Sequence, residues 1–180
     1  MIVAPIQLHQ LSFRRVAVEI DEGCLVKGEF GQADKHFDFE GVVIATHVGF
    51  SPLDQEAGVL ERNFLLTLRV VVNNEAPDDG SEWKPSPYLI DIEAGGIIVV
   101  ANGAEKLGDI EDIVLVNGTS MLWSAIREQV CNLTARMPLG IATLPTVHFQ
   151  DLRKQRSEGA AMPAKPIRPR VAKPRAKREA

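Results

Sequence analysis

Cysteine is almost missing from this 180-residue sequence: Cys24 and Cys131 stand far apart and belong to no CxxC or CxxH spacing. A disulfide framework or a zinc site needs clustered thiols, so neither is indicated and two reduced, structural thiols are expected. Long apolar runs are missing too, and none approaches the roughly 18 residues that span a bilayer. The opening MIVAPIQLHQLSFRR breaks its apolar character at Gln7, His9 and Gln10, unlike an export signal. The expectation is a soluble, cytoplasmic protein.

Catalytic signatures are equally scarce. The sequence contains no GxSxG elbow, no P-loop and no GxGxxG, and neither Ser124 nor Cys131 has a recognisable base nearby in sequence. His9, His36, His47 and His148 are scattered without HExxH spacing, so no metal or other cofactor is expected. The acidic group Asp109, Glu111 and Asp112 fits a helix start, where the macrodipole favours negative charge. Nothing in these patterns demands an enzyme, and a binding protein is the expected class.

What the sequence does have is a segregation of charge. Overall, 20 Lys and Arg face 24 Asp and Glu. Of these, 10 basic and only 2 acidic residues fall after Leu152, leaving 10 basic and 22 acidic residues before it. The division suggests a domain over residues 1–152 and a basic, proline-rich tail over 153–180. Only Met162, Ile167 and Val171 relieve the tail's polarity, too little apolar surface to offset the entropy of ordering, so disorder is expected. Lys165, Arg168, Arg170, Lys173, Arg175, Lys177 and Arg178 suit an adaptor that binds nucleic acid or an acidic partner through counterion release. A solubilising tail that folds back on the acidic domain is the alternative.

Four segments carry strand patterning. In 11–21, Val16, Val18 and Ile20 alternate with Arg15, Ala17 and Glu19; in 41–51, Val42, Ile44, Val48 and Phe50 share a face. Residues 64–72 place Phe64, Leu66, Leu68, Val70 and Val72 on one side, and slipping that register by one would bury Arg69. Residues 88–100 alternate until Gly95-Gly96, which marks a bulge or a close backbone approach. A helix is predicted after Asn117-Gly118, capped by Thr119 or Ser120 and ended by Pro138, with Leu122, Trp123, Ile126, Val130 and Leu133 along its apolar stripe. Residues 110–116 read as either a helical turn or a loop.

No helical crossover separates the strands, so the expected fold is α+β: a four-stranded antiparallel sheet packed with one long helix. That is a thin core, and association with further copies is expected to cover it.

Specific residues then resemble one family. Leu122-Trp123, Arg127-Glu128, Thr134-Ala135-Arg136 and the run Leu144-Pro145-Thr146-Val147-His148-Phe149-Gln150-Asp151-Leu152 are similar to the LFPYARE, TRGGFPPL and LPPxNFxxLY patterns of SecB-type export chaperones. Residues 89–98, LIDIEAGGII, resemble that family's FLxEVxQxGIF strand, and Leu11-Ser12-Phe13 its first-strand ISF. The likeness touches most of residues 8–152. Departures are Ser124-Ala125 in place of the helix Pro-Tyr and Met137-Pro138-Leu139-Gly140-Ile141 in place of the GGFPP run.

The resemblance implies a dimer of dimers with helices sandwiched between sheets, and an ATP-independent chaperone that holds unfolded or newly made polypeptides, for export or to protect a partner such as an antitoxin. It implies client contact in the connection between the first two strands, where Phe30, Phe37 and Phe39 are the candidate anchors and ordinary core packing is the equal alternative for each. Docking of the SecA motor is implied at Leu89 and Asp91, but Gln10 and Arg14 stand where the family has first-strand acidic residues. They weaken the field that attracts SecA's basic tail and put that partner in doubt. On this reading Leu122, Trp123, Ile126, Val130 and Leu133 form the oligomer interface. Trp123→Asp then places an unpaired charge in a dry contact between copies, and light scattering is expected to report a smaller species.

Overall fold

The computed structural model describes residues 4–23, 36–54, 61–77 and 80–153. Its architecture follows from the alternation just described. β1 (Ile6–Ile20), β3 (Ala45–Pro52), β4 (Arg62–Val72) and β5 (Tyr88–Val100) form a four-stranded sheet in the order β1-β5-β4-β3, and every pairing is antiparallel. At the β4–β5 seam, Phe64 lies opposite Ile98, Leu68 opposite Ala94 and Val70 opposite Ile92, and all six are buried on the same face. Phe50 of β3 stacks on Phe64 with ring centroids 5.5 Å apart. The other face carries Thr67, Arg69, Asp91 and Glu93 and lies open, as antiparallel sheets allow.

Gly95-Gly96 proves to be a close approach, while the irregularity itself sits in the neighbouring strand. Pairing between β1 and β5 shifts register between His9 and Ser12 and again between Phe13 and Arg15. Gln10 takes a left-handed φ of 51° within the first shift. A Cβ on Gly96 would stand 2.5 Å from Leu8 Cδ1 and 3.3 Å from the His9 carbonyl oxygen, so a side chain there would push β1 away. Each shift moves the register by one in the same direction, and the total offset of two restores the alternation of faces, so Leu8 and Val16 both lie opposite helix-facing residues, Ile98 and Ile92.

α1 (Ile110–Thr134) is longer than the sequence pattern suggested. It begins at Asp109, whose side chain accepts a hydrogen bond from the Asp112 backbone N–H at 3.0 Å, so the acidic group is a helix cap. The expected cap at Thr119 or Ser120 is therefore corrected: Asn117-Gly118 lies inside the helix. Asn117 donates its side-chain amide to the Ile113 carbonyl at 2.9 Å. Gly118 is present because the helix touches the sheet there; a Cβ would come within 2.6 Å of Leu66 Cδ2 and 3.1 Å of Ile98 Cγ1. A turn dipeptide in sequence is a packing notch in the fold.

The far side of α1 is covered by the C-terminal part of the same chain. β6 (Ile141–Thr143) pairs in parallel with β2 (His36–Asp38). The Thr134 hydroxyl donates to the Val130 carbonyl and accepts from the Ala142 N–H, which fastens β6 to the helix end. Further along, the Trp123 indole N–H donates to the Pro145 carbonyl at 2.9 Å, and its ring meets Phe149 edge-on at 5.8 Å. Leu122, Trp123, Ile126 and Val130 are consequently buried within one chain, and Leu133 is half-buried.

Burial of that stripe moves the expected effect of Trp123→Asp from assembly to the stability of the single chain. Gly118→Val tests the helix–sheet contact: overpacking against Leu66 and Ile98 should cost about 2 kcal/mol, read as a lower denaturation midpoint. An unchanged midpoint would mean that the helix does not lie this close.

Candidate functional site

The open face of the sheet is organised around Asp91. Its carboxylate receives Nε and Nη2 of Arg69 from β4 at 2.7 and 2.8 Å, and Nε of Arg15 from β1 at 2.5 Å. Arg14 approaches Glu93 at 3.6 Å. Three strands thus meet in one ladder of charge, with β5 supplying the carboxylates and both neighbours the guanidinium groups. The Arg69 hydrogen bonds hold the Asp91 carboxyl below the usual carboxylate range; desolvation opposes them, and the charge of Arg15 adds to the lowering. Asp91 in turn raises the Arg69 guanidinium.

A side-chain clasp fixes the end of the sheet where this face begins. Asn74, with a left-handed φ of 57°, donates its amide to Asp21 Oδ2 and to the Ser86 carbonyl at 2.8 Å, and accepts the Ser86 N–H at 2.7 Å. The Asp21 N–H donates to the Pro87 carbonyl at 2.9 Å, so the end of β1, the end of β4 and the start of β5 are tied together. Beside the clasp, Arg15, Ala17, Glu19, Val71, Leu89 and Asp91 line a shallow depression of about 220 Å³. Leu89 and Asp91, the expected docking pair, are therefore neighbours on this face. The electrostatics are nevertheless balanced: Arg14 and Arg15 bring positive charge to the carboxylates, and Gln10 sits in the strand distortion. No strongly acidic field remains at Asp91.

The second feature is apolar. Across β1 and β5, Phe13 lies opposite Ala94 and Val16 opposite Ile92. Ala94 and Ile92 are fully buried, whereas Phe13 is 36% exposed and Val16 43% exposed. The greasy face beneath α1 thus continues to the sheet's edge, beyond the helix's cover. Leu11, in the same distorted stretch, is also 43% exposed. β1 is an edge strand, so one row of its backbone N–H and C=O groups lacks a strand partner in the described sheet.

The expected client anchors are placed differently. Phe37 and Phe39 are buried and meet edge-on at 5.0 Å, with the Lys84 ammonium 4.8 Å from the Phe37 ring centre. They are core side chains here, a correction to their reading as surface anchors; Phe30 lies outside the described residues. Sequence reasoning missed the Leu11–Phe13–Val16 edge because the alternation of residues 11–21 looks like that of a covered strand. The signal that could have found it is Gly95-Gly96, which marks where β1 departs from regular pairing. Among the described residues, no group of three or more His, Cys, Asp or Glu could hold a metal ion, and no helix is long and apolar enough to cross a membrane.

Comparisons with known proteins fall at the level of distant shape. Neither a protein-family model nor a curated protein matches the chain. Among solved structures, it is similar to a protein of unknown function from Streptococcus agalactiae, with TM-score 0.47 and 11% identity over 80% of this chain and 97% of that one. It is also similar to a SecB-like chaperone of Mycobacterium tuberculosis, solved with a ChAD peptide from the HigA1 antitoxin. That match has TM-score 0.40 and 15% identity over 79% of this chain and 88% of the other. At these scores neither likeness carries an argument about function.

The Asp91 ladder gives a pH prediction with a definite sign. The folded carboxyl titrates below its unfolded value of about 3.9, so its stabilising contribution is present above that value and is lost as pH falls through the folded pKa. Thermal unfolding between about pH 5 and pH 2 should therefore show a shallower acid decline for Asp91→Asn than for the unaltered chain. Parallel declines would show that the ladder contributes nothing.

Proposed function

We propose that this chain is a SecB-like, ATP-independent holding chaperone that acts as a homo-oligomer on unfolded or newly made polypeptides. The observation that carries the reading is the incomplete cover of the sheet: Leu11, Phe13 and Val16 stand exposed on an edge strand of 15 residues, continuous with the buried core. Such an edge combines apolar side chains with unpaired backbone groups, the two things an added polypeptide can satisfy. The resemblance of residues 89–98 and 144–152 to SecB-type patterns supports the same reading.

In this proposal a second copy pairs along β1 about a two-fold axis, continuing the sheet and covering Phe13 and Val16. The outer flank of α1 is suited to the contact between dimers. There the Ser120 and Ser124 hydroxyls are turned back onto the Val116 and Ser120 carbonyls at 2.8 and 2.9 Å, leaving small side chains with few free polar groups. Clients are held at apolar side chains that pairing along β1 leaves uncovered, such as the exposed Leu53, Ile141 and Val147, each contact weak and several linked contacts giving avidity to chains that are still extended. A folded client offers no such segments. With Arg14 and Arg15 compensating the carboxylates of the open face, the proposed pathway does not rely on SecA and includes protection of an aggregation-prone partner such as an antitoxin.

Two measurements test the reading separately. Stoichiometric protein without nucleotide should suppress light scattering by an aggregating unfolded substrate, and undiminished scattering would overturn the chaperone assignment. Phe13→Glu, which charges the edge, should give a smaller particle than the unaltered chain by sedimentation; the same mass for both would remove β1 from the interface.

A further inference from the structure

The free edge of β1 has a direction and a charge pattern of its own. From Arg15 to Ile20 the strand pairs with β5 without interruption, and the Asp21 N–H donates to the Pro87 carbonyl at 2.9 Å as the next step of that ladder. Backbone direction alternates along an antiparallel strand, so Arg15, Ala17 and Glu19 turn their N–H and C=O groups toward β5. Val16, Val18 and Ile20 turn theirs to the edge. Side chains alternate in the same rhythm. Arg15, Ala17 and Glu19 stand on the open face beside Leu89 and Asp91, while Val16, Val18 and Ile20 lie opposite the buried Ile92, Ile90 and Tyr88.

Glu19 is the unmatched charge on the open face. Asp91 is held by Arg15 and Arg69, and Glu93 is approached by Arg14, whereas the exposed Glu19 has no cation partner among the described residues. Arg15 reaches Asp91 and still keeps 57% of its side chain exposed. Four residues along one strand separate Arg15 from Glu19 by about 13 Å, so the two cannot meet within a chain. A second copy running antiparallel along the edge can bring them together.

The register follows from symmetry. A two-fold axis normal to the sheet pairs the edge with itself, and residues opposite each other share a face, so one residue must stand opposite its own copy. Centred on Arg15 or on Glu19, like charges face each other. Centred on Val16, Val18 of the second copy meets the irregularity between Phe13 and Arg15. Centred on Val18, Glu19 faces Ala17 and stays unmatched, while Arg15 faces Asp21, whose carboxylate already accepts from the Asn74 amide and the Gly23 N–H. Centred on Ala17, Arg15 faces Glu19 of the second copy twice over. Val16 then faces Val18 twice as well, with backbone groups that point into the seam from both sides. Phe13, one place beyond Arg15 in the β5 ladder, comes beside Ile20 of the second copy on the helix side.

We propose that two copies join along β1 with Ala17 on the two-fold axis, and that reciprocal Arg15–Glu19 ion pairs select this register. The proposal rests on the reading that a second copy completes the sheet at β1. Exposed ion pairs contribute little affinity, so their part is to choose among registers whose apolar contacts are similar.

The test introduces Val16→Cys, Ala17→Cys, Val18→Cys or Glu19→Cys singly into the full chain carrying Cys24→Ser and Cys131→Ser. Each is sedimented, oxidised with diamide and read as covalent dimer on non-reducing gels. Ala17→Cys should cross-link about tenfold faster than the other three, because only there do two Cβ atoms face each other within disulfide reach. Faster cross-linking at Val16→Cys, Val18→Cys or Glu19→Cys in a particle that sediments as an oligomer would overturn this register and leave pairing along β1 standing. A monomer, or an oligomer that cross-links at none of the four, would overturn both. Glu19→Lys supplies a second readout: the dimer's dissociation constant should rise about tenfold at low salt and return toward that of the unaltered chain at high salt, where charge is screened. Equal constants at low salt would overturn the role given to Glu19.

Discussion

The contact of α1 with the sheet at Gly118 sets the terms for the rest of the molecule. With no side chain at that point, the helix comes down on Leu66 and Ile98 and covers the β4–β5 seam. One helix cannot cover four strands. Cover is complete over the middle strands and thins at both edges: no residue of β3 is fully buried, and on β1 Phe13 and Val16 remain open although the residues opposite them are fully buried. The exposed edges are thus a consequence of one helix lying across four strands.

A second set of contacts prevents the helix itself from serving as the main apolar contact surface. Trp123 donates to the Pro145 carbonyl and packs on Phe149, while Thr134 receives the Ala142 N–H, so the chain covers the far side of its own helix. The same closure buries Phe37 and Phe39 beside β6. What one chain offers to others is the margin of the sheet, the small-residue flank of α1, and a face on which opposite charges are already matched at Asp91.

Much of this was legible in the sequence. Period-two alternation located all four strands of the main sheet, and residues 88–100 match β5 at both ends. The α+β arrangement and the antiparallel sheet followed from the lack of helical crossovers. The helix start was missed because Asn-Gly is a strong turn signal when judged locally, whereas here tertiary packing requires the glycine. β2 and β6, at three residues each, carry no periodicity to read, and without them Trp123 and Phe37 look available for contact. The exposed edge was hidden for a related reason: alternation shows which residues share a face and says nothing about how far a covering helix reaches.

Hydrogen exchange resolved along β1 tests most directly whether another polypeptide completes this sheet. The account predicts that, in the purified particle, outward-facing amides between Ile6 and Ile20 exchange slowly, as in a paired strand, and much more slowly than those on the opposite edge at β3. Rapid exchange along β1, equal to that of β3, would contradict it.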